Sequence, residues 1–203
     1  MRPGRVVLIP GSFNPPTNAH LKIVHELHSR YPGSKIVLVP CNDNYIKEWK
    51  KQPNPISMED RIRLLYGMID QKYSYVSIFE SNKDPYGYLI DTARYYHSIY
   101  DDVVICLGSD NLEHMDLWKD AETLIQENLF VWFPRNNNYA TKRCALVQKY
   151  MGHDNHFICI DKSIPWVSST MIREAYLNGN WDTVIQSVPE NVFLYLRYND
   201  DLF

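Results

Sequence analysis

Compact runs of valine, isoleucine and leucine alternate along the chain with segments whose apolar residues recur every three or four positions. Such runs are typical of buried strands, and such segments are typical of amphipathic helices. The predicted strands cover 5–10, 35–40, 74–79, 102–107, 129–133 and 156–160. The predicted helices cover 18–30, 58–70, 85–100, 118–126, 141–151, 169–178 and 189–198. This alternation predicts an α/β fold, a Rossmann-like doubly wound parallel sheet of five to six strands with helices on both faces.

Composition narrows the class of protein. The chain has 203 residues, of which 45% are apolar, enough for a single domain over 1–203 with a sizeable core. A net charge of −3 argues against a nucleic-acid partner, because nucleic-acid-binding proteins carry a basic surface. The four cysteines lack metal-ligand spacing, which is typical of a reducing compartment. With no leader and no membrane-spanning stretch in view, we expect a cytoplasmic protein without a membrane partner, or a nuclear one if the source is eukaryotic.

The stretch 11–20, Gly-Ser-Phe-Asn-Pro-Pro-Thr-Asn-Ala-His, joins the first predicted strand to the first predicted helix. Gly11 allows close approach to the backbone, and the N–H groups and positive dipole end of the helix favour phosphate. Thr17 and His20 stand three residues apart and therefore share one helix face. We expect the hydroxyl and the imidazole to face one phosphate chain. In the alternative, purely structural interpretation, the prolines shape a turn and His20 caps a core helix.

A second anion site is predicted in Trp-Val-Ser-Ser-Thr-Met-Ile-Arg at 166–173, within a helical C-terminal portion from about 165 to 203. Ser168, Ser169 or Thr170 caps a helix there, and Arg173 follows one turn later on the same face. An ordinary capped helix with a solvated arginine is the alternative. If the first interpretation is correct, the two helix starts converge on one triphosphate.

These motifs resemble signatures of the nucleotidylyltransferase superfamily, in which Gly-x-Phe-x-Pro leads into a His/Thr-x-x-His pair and Ile-Ser-Ser-Thr-x-Ile-Arg opens a later helix. With Gly-Ser-Asp at 108–110 and Leu-Trp at 117–118, the chain resembles most the nicotinamide/nicotinate mononucleotide adenylyltransferases. The resemblance implies transfer of the adenylyl group of ATP to nicotinamide mononucleotide, nicotinate mononucleotide or both, giving NAD or deamido-NAD and pyrophosphate. It also implies Mg²⁺ bound with ATP, and no metal site of the protein's own.

The resemblance assigns roles residue by residue. The residues it makes catalytic are Thr17, His20, Lys47 and Arg173. It places ATP against Gly11, Ser12, Phe13, His20, Gly108, Asp110, Arg135, Ser168, Ser169, Thr170 and Arg173. It places the mononucleotide against Ser12, Phe13, Lys47, Phe79, Leu117 and Trp118, with the rings of Phe79 and Trp118 sandwiching the pyridine.

Several of these residues also allow a purely structural role. Lys47 can be a solvated loop lysine, and Arg135 can be an ordinary surface arginine. Phe79 can end a core strand. Asp110 can cap a helix, and Trp118 can pack in the core.

In the expected mechanism the mononucleotide 5′-phosphate attacks the α-phosphorus of ATP in line, without a covalent intermediate. No candidate Ser or Thr has a His–Asp relay that the sequence reveals. Two alternatives stay open: another superfamily enzyme, namely a pantetheine-phosphate adenylyltransferase or a cytidylyltransferase, and a non-catalytic nucleotide-binding module. The sequence leaves undecided the choice between nicotinamide and nicotinate, the presence of a homo-oligomer, and the roles of Trp49 and of the asparagine loop 136–138.

Overall fold

The computed structural model describes residues 4–83, 86–134, 143–151, 156–161, 164 and 167–203. Arg135 and the asparagine loop 136–138, which the sequence singles out, lie outside the described residues. So do Trp166 and the first residues of the helices predicted at 85–100 and 141–151.

Six parallel strands form one sheet in the order β3-β2-β1-β4-β5-β6. They are β1 (Arg5–Gly11), β2 (Lys35–Pro40), β3 (Ser74–Val76), β4 (Asp102–Gly108), β5 (Leu129–Phe133) and β6 (Phe157–Cys159). The strand order reverses between β1 and β4, so a crevice opens there at the carboxyl ends of the strands. The predicted doubly wound α/β fold is confirmed.

The helices in the described part of the chain are α1 (Asn18–Arg30), α2 (Asp43–Glu48), α3 (Met58–Tyr66), α4 (Leu89–His97), α5 (Ala121–Glu127), α6 (Ala145–Tyr150), α7 (Ser169–Leu177), α8 (Trp181–Ser187) and α9 (Glu190–Tyr198). The sequence patterns miss α2 and α8, because each has fewer than two full turns and shows no helical period. The helix predicted at 58–70 ends early, at Tyr66, with Gly67 as its C-cap. The strand predicted at 74–79 is also too long, since β3 pairs with β2 only as far as Val76.

Helices cover both faces of the sheet, because neighbouring strand residues point to opposite sides. Leu8 of β1 belongs to a core with Ile90 of α4 and Leu124 of α5. The residue before it, Val7, belongs to a second core that includes Leu27 of α1. The two cores hold the parallel sheet between them, which explains why its central strands are apolar throughout.

The C-terminal helices α7, α8 and α9 form a third apolar cluster against α3. Ile172, Val184 and Val192 supply one residue from each of these helices, and Leu64 joins them from α3. The Asn191 side chain adds a hydrogen bond of 2.9 Å to the Leu64 carbonyl. This packing carries the start of α7 to the carboxyl edge of the sheet.

Candidate active site

The loop between β1 and α1 is built around the ring of Phe13. Phe13 has a φ of 49°, in the left-handed region, and its side chain is buried. The ring lies over Gly11, where an added Cβ would stand 3.0 Å from Phe13 Cζ. It also meets His20 edge-on, with 4.9 Å between the ring centroids. Gly11 therefore makes room for the Phe13 ring, which is packed inside the loop.

Thr17 and His20 form a closed pair at the first turn of α1. The Thr17 backbone N–H donates to His20 Nδ1 over 3.0 Å, and Thr17 Oγ1 lies 2.9 Å from the same nitrogen. Because a backbone N–H can only donate, Nδ1 is the accepting nitrogen and Nε2 carries the hydrogen of the neutral ring. Thr17 is fully buried, whereas His20 is partly exposed. The pair thus fixes the imidazole with Nε2 as its donor toward a bound anion.

Helix α7 begins with a serine cap, as the sequence predicts. Ser168 Oγ accepts the Met171 N–H over 3.2 Å. Thr170 Oγ1 accepts a hydrogen bond of 3.0 Å from Arg173 Nη2, which holds the guanidinium beside the first turn. Burial lowers the pKa of Arg173 from its ordinary value, and an arginine stays charged at neutral pH even so. The start of α7 therefore combines backbone N–H groups with a fixed positive charge.

The two predicted anion sites meet at one loop. Ser169 Oγ donates to the Pro15 carbonyl over 2.8 Å, and Arg173 Nη1 donates to the Asn14 carbonyl over 2.7 Å. These carbonyls belong to the residues two and three positions before Thr17 in the chain. The starts of α1 and α7 are thereby brought together although some 150 residues separate them, with sequence separations of 154 and 159 for the two bonds.

The side chain of Asn14 ties this loop to the segment 49–57. Asn14 is fully buried, its Nδ2 donates to Gln52 Oε1 over 2.8 Å, and its Oδ1 accepts the Ile56 N–H over 2.9 Å. Trp49, whose role the sequence leaves open, lies on the same segment with 64% of its surface exposed. Asn14 thus connects the loop to the segment that leads into α3 by two hydrogen bonds.

Helix α2 carries Lys47 at the end of the neighbouring strand. The Cys41 N–H donates to the Gly11 carbonyl over 3.0 Å, so the ends of β2 and β1 are joined. Lys47 is exposed and forms no ion pair with another described residue. Burial raises the pKa of the Cys41 thiol to about 11, against the opposing effect of the Arg61 guanidinium. The thiol therefore stays protonated and is a poor nucleophile.

Arg61 of α3 is the principal residue that the assigned site omits. It is completely buried, and its Nη1 donates to the Ser12 carbonyl over 2.7 Å. Its Nη2 donates to the Cys41 carbonyl over 2.8 Å and to Asp43 Oδ1 over 2.5 Å, and its Nε donates to the Ile56 carbonyl over 3.0 Å. In the sequence, Arg61 also matches the general pattern of the adenylyltransferases that the chain resembles. The structure adds that it lies on the buried face of α3 with Leu64 and Leu65, where a charged residue needs internal partners.

Phe79 and Trp118, the two rings that the resemblance predicts to sandwich the pyridine, line two different clefts. Phe79 lines a cleft between the end of β3 and α4, where its ring stacks on Tyr95 with 4.7 Å between the centroids. Lys83 Nζ lies 4.3 Å from the centroid of the same ring. Trp118 instead lines a groove between α5 and α6, half-buried against the core. The structure places the two rings on different clefts because Phe79 precedes a 3-10 turn that directs it onto α4.

The loop after β4 contains three more residues that the resemblance assigns to ligand binding, namely Gly108, Asp110 and Leu117. β4 ends at Gly108, and 3-10 turns cover Ser109–Glu113 and Met115–Leu117. Asp110 lies exposed on the first turn, and it is not the cap of an α-helix. Leu117 ends the second turn with 76% of its surface exposed. These residues lie at the carboxyl edge of the sheet, on the β4 side of the crevice.

Glu80 is a buried carboxyl at the end of β3. Thr92 Oγ1 donates to Glu80 Oε1 over 2.8 Å. Burial raises the pKa of Glu80 to about 7, more than the Thr92 bond lowers it. Gly87 packs directly on the Glu80 side chain and leaves no room there for a Cβ. Asn42 Nδ2 donates to the Lys83 carbonyl over 3.0 Å, so the loops after β2 and β3 are joined above this carboxyl.

The described residues lack a metal-binding cluster, a disulfide and a membrane-spanning helix. They contain no group of three or more His, Cys, Asp or Glu that could hold a metal ion. All four cysteines are free. No helix in these parts of the chain is long and apolar enough to cross a bilayer.

Residues 8–175 match the sequence model of the cytidylyltransferase-like family, so the chain belongs to that family. A probable nicotinate-nucleotide adenylyltransferase of Acholeplasma laidlawii is 36% identical over 134 residues, covering 65% of this chain and 68% of the relative. Another protein of that name, from Chlorobium phaeobacteroides, is 27% identical over 202 residues, covering 96% of this chain and 98% of the relative. The predicted membership in the nicotinamide/nicotinate mononucleotide adenylyltransferases is confirmed.

A solved structure supports the fold independently. The Plasmodium falciparum nicotinic acid mononucleotide adenylyltransferase complexed with NaAD has a TM-score of 0.68 and 20% sequence identity, with 97% of both chains covered. The same enzyme complexed with APC also has a TM-score of 0.68, over 96% of this chain and 94% of that one. At this level of identity the similarity establishes the architecture and leaves residue roles to be argued from this chain.

Proposed function

We propose that the protein transfers the adenylyl group of ATP to nicotinate mononucleotide, giving deamido-NAD and pyrophosphate, with nicotinamide mononucleotide as the second acceptor to be tested. The names of the relatives support this activity and the nicotinate acceptor. For this chain the main support is one geometric observation. Ser169 and Arg173 donate to the carbonyls of Pro15 and Asn14, directly beside the Thr17–His20 pair.

The reaction we propose is an in-line displacement. A phosphate oxygen of the mononucleotide forms a bond to the α-phosphorus of ATP while the bond from that phosphorus to the bridging oxygen breaks, and pyrophosphate leaves with the electron pair. Catalysis then depends on holding two anions together and on stabilising the charge that moves to the leaving group. His20 Nε2 and the start of α1 would donate across the breaking bond. Arg173 and the start of α7 would hold the β- and γ-phosphates, and Lys47 would add a mobile charge.

The hydroxyl groups near the cleft support a mechanism without a covalent intermediate. Ser168 and Ser169 are engaged by the Met171 N–H and the Pro15 carbonyl. Thr17 is fully buried with its hydroxyl against His20 Nδ1, so this hydroxyl is not open to attack on a substrate phosphorus. The surrounding groups thus suit binding of phosphate oxygens.

We propose that Mg²⁺ enters the cleft as part of the MgATP substrate. The described residues offer no cluster of carboxylates that would hold a resident ion, whereas the phosphates of ATP supply the oxygen ligands that Mg²⁺ prefers. His20, Lys47 and Arg173 would contact phosphate oxygens that the ion leaves open. A cytoplasmic location, without nucleic-acid or membrane partners, completes the proposal and is supported by the net charge of −3 and the four free thiols.

The direct test mixes the purified protein with MgATP and one acceptor at a time: nicotinate mononucleotide, nicotinamide mononucleotide or 4′-phosphopantetheine. Chromatography identifies the dinucleotide, and a coupled assay counts pyrophosphate. We expect equal amounts of deamido-NAD and pyrophosphate with nicotinate mononucleotide, and a large loss of both in His20→Ala. Product from phosphopantetheine alone, or from CTP in place of ATP, would favour another enzyme of the superfamily. ATP binding without product from any acceptor would favour a non-catalytic module.

A further inference from the structure

An ion pair joins the buried Arg61 guanidinium to the partly exposed Asp43 carboxylate next to the loop before α1, and it has no part in the proposed mechanism. We propose that Arg61 and Asp43 are positioning residues, which together hold α2, and with it Lys47, at a fixed place beside the β1–α1 loop. The inference rests on the proposed function, because it concerns how that cleft is assembled. Neither side chain is required to touch a substrate.

The hydrogen-bond acceptors of Arg61 come from separate parts of the chain. A buried guanidinium needs acceptors, and one loop could supply them all. Here the acceptors come from three separate segments: the carbonyls of Ser12, Cys41 and Ile56. Ser12 belongs to the loop that precedes α1, and Cys41 follows β2. The planar fork of five donors therefore sets the spacing between two strand ends, which a lysine ammonium would not reproduce.

Asp43 links Arg61 to α2. Asp43 is the first residue of α2, and its Oδ1 lies 2.5 Å from Arg61 Nη2. Its second oxygen accepts the Met58 N–H over 3.0 Å, so the start of α3 is held by the same carboxylate. Lys47 stands four residues after Asp43 and therefore shares its helix face. A rotation of α2 about its axis would displace the Lys47 ammonium from a bound phosphate.

Arg61 and Asp43 differ in how much of each side chain is exposed. The Arg61 side chain is completely buried, whereas the Asp43 side chain keeps 31% of its surface exposed. Removing the arginine would leave several buried carbonyls without donors and would risk the fold itself. Asp43→Asn removes the charge and replaces one of two acceptor oxygens by an amide NH2, so the bond from Arg61 or the bond from the Met58 N–H is lost and α2 is loosened. Arg61 keeps its three carbonyl partners in this variant. Asp43 is therefore the residue to change.

The experiment is a double-mutant cycle on kcat/KM with MgATP and nicotinate mononucleotide. It compares the wild type, Asp43→Asn, Lys47→Ala and the double variant. If Asp43 acts through Lys47, Asp43→Asn lowers kcat/KM about tenfold in the presence of Lys47 and less than threefold in its absence. Asp60→Asn is the matched control, because Asp60 lies on α3 and bonds to Ser57 and Tyr195, away from both strand ends. We expect it to stay within threefold of the wild type.

The inference is overturned if Asp43→Asn changes kcat/KM less than threefold, if it has the same effect with and without Lys47, or if Asp60→Asn matches it. Thermal melting checks that each variant is folded at the assay temperature. Asp43→Glu, which keeps the charge and moves it by one methylene, takes the place of Asp43→Asn if that variant is unfolded. If the wild type makes no product, the proposed function fails. In that case the same cycle is measured on the calorimetric Kd values for MgATP and nicotinate mononucleotide. We then expect Asp43→Asn to raise a Kd about tenfold with Lys47 present and less than threefold with Lys47 absent, and any other pattern overturns the inference.

Discussion

Replacing Glu80 by glutamine is expected to stabilise the protein above neutral pH. Burial raises the pKa of the Glu80 carboxyl from 4.5 to about 7, although the bond from Thr92 opposes that shift. Between these two values the unfolded chain loses this proton while the folded chain keeps it, so the free energy of unfolding falls as pH rises. The stability from this group is complete below pH 4.5 and is lost as pH passes 7, a difference of ~3 kcal/mol by about pH 8.

Urea denaturation of the wild type and Glu80→Gln between pH 5 and pH 8 measures this effect. Glutamine can still accept the Thr92 hydroxyl, so the variant should lose the downward slope and exceed the wild type by up to ~3 kcal/mol at about pH 8. Glu59→Gln is the control, because Glu59 is an exposed carboxylate on α3 and should leave the slope as it is. If Glu80→Gln and the wild type have parallel stability curves over this range, Glu80 does not titrate there and the reasoning is refuted.

Three further changes test the cleft and the start of α7. His20→Ala should lower kcat about 10²–10³-fold, the usual effect of losing one aligned donor. His25→Ala is the control and should change kcat less than threefold, because His25 is exposed on α1. A loss below threefold in His20→Ala would remove His20 from the mechanism. Trp118→Ala should leave the KM values for nicotinate mononucleotide and ATP within threefold of the wild type, because its ring lines the groove between α5 and α6 and not the cleft of Phe79, and a rise in the nicotinate mononucleotide KM alone would contradict this. Ser168→Ala should lower the free energy of unfolding by about 1 kcal/mol in urea, because the Met171 N–H loses its cap, and an unchanged midpoint would contradict this.

Much of the fold follows from local patterns. The central strands β1, β2 and β4 end within one residue of their predicted positions, because both faces are buried and the apolar runs are continuous. Patterns fail where an element is short or ends for a tertiary reason. β3 stops at Val76 because its pairing with β2 ends there, although the apolar character continues to Phe79. Helix α2 is missed because its six residues bury one side chain, Ile46.

In the candidate site, too, the sequence predicts contacts between neighbouring residues better than contacts between distant ones. Thr17 and His20 lie within one helical turn, so their spacing predicts a shared helix face, and the structure adds the hydrogen bonds between them. Phe79 shows the limit, since its partner Tyr95 lies on a helix whose approach no local pattern reveals. The contact of Arg173 with Asn14 spans 159 positions, and only the resemblance to known adenylyltransferases suggested that these segments meet.

The two arginines show why the cleft suits a triphosphate before any ligand binds. Arg61 and Arg173 both donate to backbone carbonyls of the loop before α1, those of Ser12 and Asn14. Each bond fixes a positive charge and a peptide group at once, so little reorganisation is left to occur during the reaction. Two hydrogen bonds engage the Arg173 guanidinium, which carries five N–H donors, so it can hold the loop and bind phosphate together. A lysine ammonium at position 173 could not bind the loop carbonyl and a phosphate in the same geometry. The proposed chemistry therefore requires the planar guanidinium with its several donors, and a positive charge alone is not enough.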